Sequence, residues 1–261
     1  MAPMSVPGAV QDPDRLHTAD VTLDSGGFTL PAYLARPEDT ASPHPGLIVV
    51  HDAAGLSEHI RDVTRRFANA GFDALAPDLY ARSGGPPDPA GGMEAILPAM
   101  LGIDDGDAVR DLEAAAAHLR SLDGGNGRVG CTGFCMGGRY TTLFAFSSSA
   151  VEAAVPCWGG FIDRAGPDSE TTPHRPVPVV QLAGNLGCPL MLVGGAEDQN
   201  PSPEILTTLA ERLRAAGKDV RLEIFENAGH AFFHDGRPNY RPDAAERLWP
   251  MLLEFFASHL H

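Results

Sequence analysis

Gly133-Phe134-Cys135-Met136-Gly137 sets a thiol between two glycines, directly after an apolar run that reads as a strand and before a stretch that reads as a helix. A nucleophile on so sharp a turn leaves no room for side chains two residues to either side. This is the nucleophile-elbow pattern G-x-S-x-G with cysteine in place of serine. A thiol at a helix N-terminus also faces the positive end of the dipole, which favours thiolate. The competing reading, a buried cysteine in a glycine-rich turn, is outweighed because strand, helix and both glycines agree. Such a nucleophile needs a base, and the base needs an acid that fixes its tautomer. Asp198 lies 63 residues on, just past the apolar run 189–195, and His230 a further 32 on, just past the run 220–226. Glu197 and His234 are their rivals. Together these types allow sulfur attack on an ester or lactone carbonyl, an acyl-thioester, and its release by water.

Other chemistries fit less well. His230 and His234 have helical metal-ligand spacing, but Ala231 stands where the H-E-x-x-H pattern needs glutamate, so no metal is expected. Thr132-Gly133-x-x-x-Gly137 echoes the phosphate turn of short-chain dehydrogenases, yet position 139 is Arg and the turn lies mid-chain. Lys218, the one lysine, has no tyrosine four residues before it, which removes the Tyr-x-x-x-Lys pair and that class. No cofactor is expected. The four cysteines, at 131, 135, 157 and 188, lack C-x-x-C spacing and read as free thiols, with Cys131 and Cys157 as inert core. A net charge of −15 repels phosphate backbones and anionic headgroups, so neither nucleic acid nor a membrane is an expected partner. The N-terminus has no signal-peptide layout, and the cytoplasm is the expected compartment.

The elements that must hold these residues can be read from periodicity. Residues 1–18 read as a flexible lead-in and 19–261 as one domain. Strands are expected at 19–24 and 28–37, joined as a hairpin at Ser25-Gly26-Gly27, and then at 46–52, 72–79, 128–134, 151–158, 189–195 and 220–226. Helices are expected at about 57–70, at 107–121, from Cys135 or just after it, from a capping Ser202 to Gly217, and from about 243 with a kink at Pro250. The stretch from Arg82 to Gly92 reads as loop. A hairpin followed by repeated strand–helix units means an α/β fold, a mostly parallel central sheet with helices on both faces. Asp198 and His230 then lie beyond carboxyl ends of strands, where open sheets place their sites.

Gly133 to Gly138, Pro77-Asp78-Leu79-Tyr80-Ala81-Arg82, the G-x-E-D of 195–198 and Ala228-Gly229-His230-Ala231-Phe232 together resemble the dienelactone hydrolase family of α/β-hydrolases, from about residue 28 to the C-terminus. The resemblance implies a Cys135–His230–Asp198 triad and an oxyanion hole from the N–H groups of Met136 and Ala53. It also implies that Asp52 occupies the place of a glutamate that contacts the resting thiol. Family members grip a substrate carboxylate with an arginine four residues after the histidine and a serine directly after it; here these are His234 and Ala231. The segment 83–102 also lacks the family's arginine and tyrosine for that carboxylate. Arg82 or Arg139 could restore a cationic grip. Tyr80, Trp158, Phe161 and Phe232 are candidates for an apolar pocket, core packing being the alternative. The expected substrate is a small ester or lactone. Two other functions remain open on these residues: a tailoring enzyme (cyclase, acyltransferase or thioesterase) on the same triad, or a non-catalytic ligand-binding homologue. The oligomeric state is not legible.

Overall fold

Strands whose successive side chains face opposite sides can serve two helical layers at once. The computed structural model of the protein describes residues 6–38 and 42–261, so the first five residues of the expected lead-in lie outside the described residues. It opens with a hairpin, β1 (Leu16–Ser25) and β2 (Phe28–Pro37), paired antiparallel around Gly26-Gly27. Both glycines have positive φ, as a two-residue reversal between twisted strands requires. Then follow β3 (His44–Val50), α1 (Glu58–Asn69), β4 (Asp73–Pro77), α2 (Gly92–Leu101), α3 (Asp105–Ser121), β5 (Gly125–Phe134) and α4 (Met136–Ser147). The chain finishes with β6 (Ala153–Cys157), β7 (Leu190–Gly195), α5 (Pro203–Ala215), β8 (Val220–Phe225) and α6 (Pro242–Leu260).

All eight strands join one sheet in the order β1-β2-β4-β3-β5-β6-β7-β8, and every pairing from β4 through β8 is parallel. Ile48, Val50, Leu190 and Leu192 face α3, α4 and α5, while Leu47, Val49, Met191 and Val193 face α1 and α6. This is the expected α/β-hydrolase architecture, and it delivers the ends of β3, β5, β7 and β8 to one edge. No helix among the described residues is long and apolar enough to cross a membrane.

Several local expectations are corrected. Leu16, His17 and Thr18 pair with Pro37, Arg36 and Ala35, so β1 takes in the last three residues of the supposed lead-in. Residues 92–101, which carry no amphipathic signal, form α2 despite Pro98. Ser202 precedes α5, but its hydroxyl makes no cap hydrogen bond to the helix backbone. Pro250 falls inside α6, as expected, and the helix runs on past it to Leu260.

Candidate active site

The turn after β5 is as tight as its glycines suggest. Cys135 sits at φ 56, ψ −116, a conformation that costs a non-glycine residue on the order of 1–3 kcal/mol. Its N–H donates to Cys157 O at 3.1 Å, which anchors the turn to β6. A methyl group at Gly133 would overlap the backbone of Gly137, and one at Gly137 would overlap the carbonyls of Val50 and His51. Both glycines are therefore steric necessities, and Cys135 is left half-exposed at the sheet edge.

His230 and Asp198 meet at the same edge. His230 Nδ1 donates to Asp198 Oδ2 at 2.9 Å, and the other Asp198 oxygen accepts from Asn200 N at 2.9 Å. Asp198 is buried. Burial disfavours the imidazolium, but the negative charge of Cys135, the hydrogen bonds of Asp198 and Cys135, and the charge of Asp198 outweigh it and lift His230 to about 10. The side chain of Asn239 donates to His230 O and ties down the loop that carries the imidazole. Of the rivals, Glu197 is exposed and His234 stacks on His59 with ring centroids 3.6 Å apart.

Ala53 and Met136 border the cavity above the thiol. Met136 is the first residue of α4, where an N–H has no partner inside its own helix. Tyr80 stands behind them rather than in the pocket: its hydroxyl donates to Ala53 O at 3.1 Å and lies 3.4 Å from Met136 Sδ. Buried His51 clamps the same loop, accepting from Leu79 N at 3.0 Å and donating to Asp52 O at 2.8 Å. Burial pushes its pKa down, in keeping with a neutral ring in that double role. The Asp52 carboxylate accepts from Ala54 N at 2.8 Å and lies 3.6 Å from Arg237 Nη2; neither contact involves the thiol.

Two cavities flank Cys135. The smaller, of about 40 Å³, is bordered by Asp52, His59, Trp158, His230, His234 and Arg237. The larger, of about 550 Å³, runs under α2 and reaches Phe161, Arg139, Arg175 and Asn200. Trp158, His234, Phe161 and Arg139 thus border the site. Three pocket candidates do not. Phe232 packs in the core between Phe225 and Trp158, and Tyr80 braces the loop as described. Arg82 is held at Asp111 and Ser25, because the hairpin and α3 surround it with acceptors. Sequence reasoning missed Arg175, Asn200 and Arg237, none of which carries a local signal.

Ligand atoms of His59, His234 and Asp235 lie within 4.8 Å of one another. The two rings are nearly parallel, 9° apart, so their in-plane lone pairs do not converge on one point, and Arg66 already donates to Asp235. Burial and the neighbouring His234 push His59 down to about 4, and burial and Arg237 lower His234 as well, so the pair stacks as neutral imidazoles at pH 7.

The model of the dienelactone hydrolase family matches residues 30–260. A protein of Escherichia coli (strain K12) named "Putative carboxymethylenebutenolidase" is 36% identical over 96% of this chain and 90% of its own length. A Bradyrhizobium protein named "Probable 2-oxo-3-(5-oxofuran-2-ylidene)propanoate lactonase" is 31% identical over 92% of this chain and 94% of its own. Among solved structures, one described as a "Putative Dienelactone Hydrolase" from Klebsiella pneumoniae superimposes with a TM-score of 0.82 at 32% identity, covering 93% of this chain and 98% of that one.

Proposed function

Since the chain belongs to the dienelactone hydrolase family and is an ester or lactone hydrolase of that type, we propose that Cys135, His230 and Asp198 carry the reaction through an acyl-thioester. The observation behind this reading is the continuous chain from Asp198 through His230 to Cys135, which stands on a strained turn beside the N-terminus of α4. The other thiols are poor competitors: burial pushes Cys131 up to about 12 and Cys188 to about 11, and Cys157 higher still.

The Cys135 thiolate attacks the carbonyl carbon, and the new oxyanion is held by the N–H groups of Met136 and Ala53. As the C–O bond breaks, the His230 imidazolium gives its Nε2 proton to the departing alkoxide. Water then attacks the thioester, His230 takes its proton, and the C–S bond breaks to release the acid and restore the thiolate. Asp198 keeps Nδ1 protonated throughout.

Cys135→Ala should lower kcat by at least about a thousandfold, because triad members act as one unit. His234→Ala should be mild by comparison. Intact-mass measurement during turnover of an aryl ester should find one acyl group on the wild type and none on Cys135→Ala. Full turnover by Cys135→Ala would discard the mechanism.

A further inference from the structure

The larger cavity indicates which esters this site would take, an inference that rests on the proposed hydrolysis at Cys135. Its wall on the α2 side is Met93, Ile96, Leu97 and Met100, and Phe161 and Pro167 face it from the segment after β6. Met93, at the mouth, is the one large hydrophobic left exposed among the described residues (63%). Unlike a surface helix with one wet face, α2 turns consecutive apolar turns toward an open volume, where an apolar ligand would remove them from water.

Cations also border this volume, and their partners decide what they do. Arg139 spends its guanidinium on Asp105, with Nη1 and Nη2 at 2.6 and 3.0 Å from the two oxygens, while its Nε donates to Phe161 O at 3.1 Å. The N–H of Phe161 donates to Asn200 Oδ1 at 2.9 Å, so a residue in the left-handed region (φ 53) is held from both sides. Arg175, 1% exposed, donates from Nη1 to Ala165 O at 2.9 Å and from Nη2 to Met100 O and Tyr140 Oη. Met100 O is one of the last carbonyls of α2, where a cation meets the negative end of the helix dipole. The Arg175 Nε is buried without a partner, while both of its Nη atoms are spent on carbonyls and the Tyr140 hydroxyl of the wall. Arg237 lies at the rim beside Asp52, and Glu197 adds an exposed carboxylate to the lining.

We propose that the site takes uncharged esters or lactones bearing a large apolar group that lies against α2 and Phe161, and that Arg139 and Arg175 are positioning residues for that wall. Neither is a grip for a substrate anion. Arg175 fixes the C-terminal end of α2, and Arg139 fixes Phe161.

The test is kcat/KM along two series, methyl acylates from acetate to octanoate and alkyl acetates from methyl to hexyl. Each is paired with its carboxylate-tipped counterpart of equal length, such as monomethyl adipate beside methyl hexanoate. In at least one series kcat/KM should rise about threefold to fourfold per methylene over four carbons, about 0.8 kcal/mol each. The terminal carboxylate should lower it at least about tenfold. Leu97→Ala should cut the hexanoate-to-acetate ratio about fivefold. Arg175→Met should raise KM for methyl hexanoate more than it lowers kcat, with Arg175→Lys restoring much of the loss, since an ammonium can still donate to Met100 O and Ala165 O. Flat series, or a preference for the carboxylate-tipped ester that Arg175→Met abolishes, would overturn the proposal and make Arg175 an anion site. Absence of all ester hydrolysis would instead overturn the reading of Cys135, which keeps the two failures apart.

Discussion

His230 is the residue whose protonation state the rest of the site sets. Burial opposes its protonation, but the interactions with Cys135 and Asp198 lift it to about 10. Because the folded pKa is raised above the ordinary 6.5, the protonated form persists through neutrality and is lost as pH climbs through about 10. For an alkyl ester, whose leaving group needs that proton, kcat/KM should therefore hold across pH 7–9 and fall near 10. Asp198→Asn removes a charge and weakens a hydrogen bond to the ring, so the alkaline limb should move to lower pH while kcat falls by several orders of magnitude. A pH-stat profile of both proteins checks this, and a limb that stays in place would mean that Asp198 does not govern His230. Cys135, His230 and Asp198 were legible because each falls just past a strand, the thiol between the two glycines of its turn, although Glu197 and His234 shared the other two loops with them. Asn200, Arg175 and Arg237 were not, since what gives them a part is contact with Phe161, Met100 and Asp52, far away in the chain.

The hairpin, the turn after β4 and α3 converge on Arg82, which shows how an element can be fixed by one side chain. Its Nη2 lies 2.7 Å from Asp111 Oδ1 and 3.0 Å from Ser25 Oγ, and its guanidinium lies over Phe28, 4.2 Å from the ring centroid. Asp111 is 1% exposed, so Arg82→Ala would leave a buried carboxylate with the Ser25 hydroxyl but without its cation and should cost about 2–3 kcal/mol. The urea midpoint should drop accordingly, while the ratio of kcat/KM for neutral over anionic esters stays as in the wild type. A changed ratio would return Arg82 to the pocket. The sequence offered Arg82, beside Arg139, as a substitute grip, but its partner Asp111 lies 29 residues on in α3, a pairing no local pattern encodes. The strands were legible for the opposite reason: runs such as Leu47 to Val50 are buried on both faces and so stay apolar without interruption. The helix α2 escaped because it lies between a cavity and solvent, and its sequence has no polar face to mark a period.

A net charge of −15 surrounds this site with a repulsive field that reaches farther than any contact in the pocket. At about 0.01 M salt the Debye length is about 30 Å, enough for distant carboxylates to oppose an approaching anion; at about 0.15 M it is about 8 Å, and only neighbours count. The long-range field and the apolar wall under α2 should both disfavour an anionic ester, but only the field is screened by salt. From 10 to 150 mM NaCl, kcat/KM for monomethyl adipate should therefore rise about twofold to threefold, and that for methyl hexanoate should stay level. The gap that remains at high salt measures the wall itself and the local charges of Glu197 and Asp52. The opposite slope, an anionic ester losing rate as salt is added, would mean that half-exposed Arg237 at the rim dominates the approach despite Asp52 3.6 Å away. In that case Arg237→Gln should flatten the slope, and the attraction would be traced to one side chain rather than to the fold's overall charge.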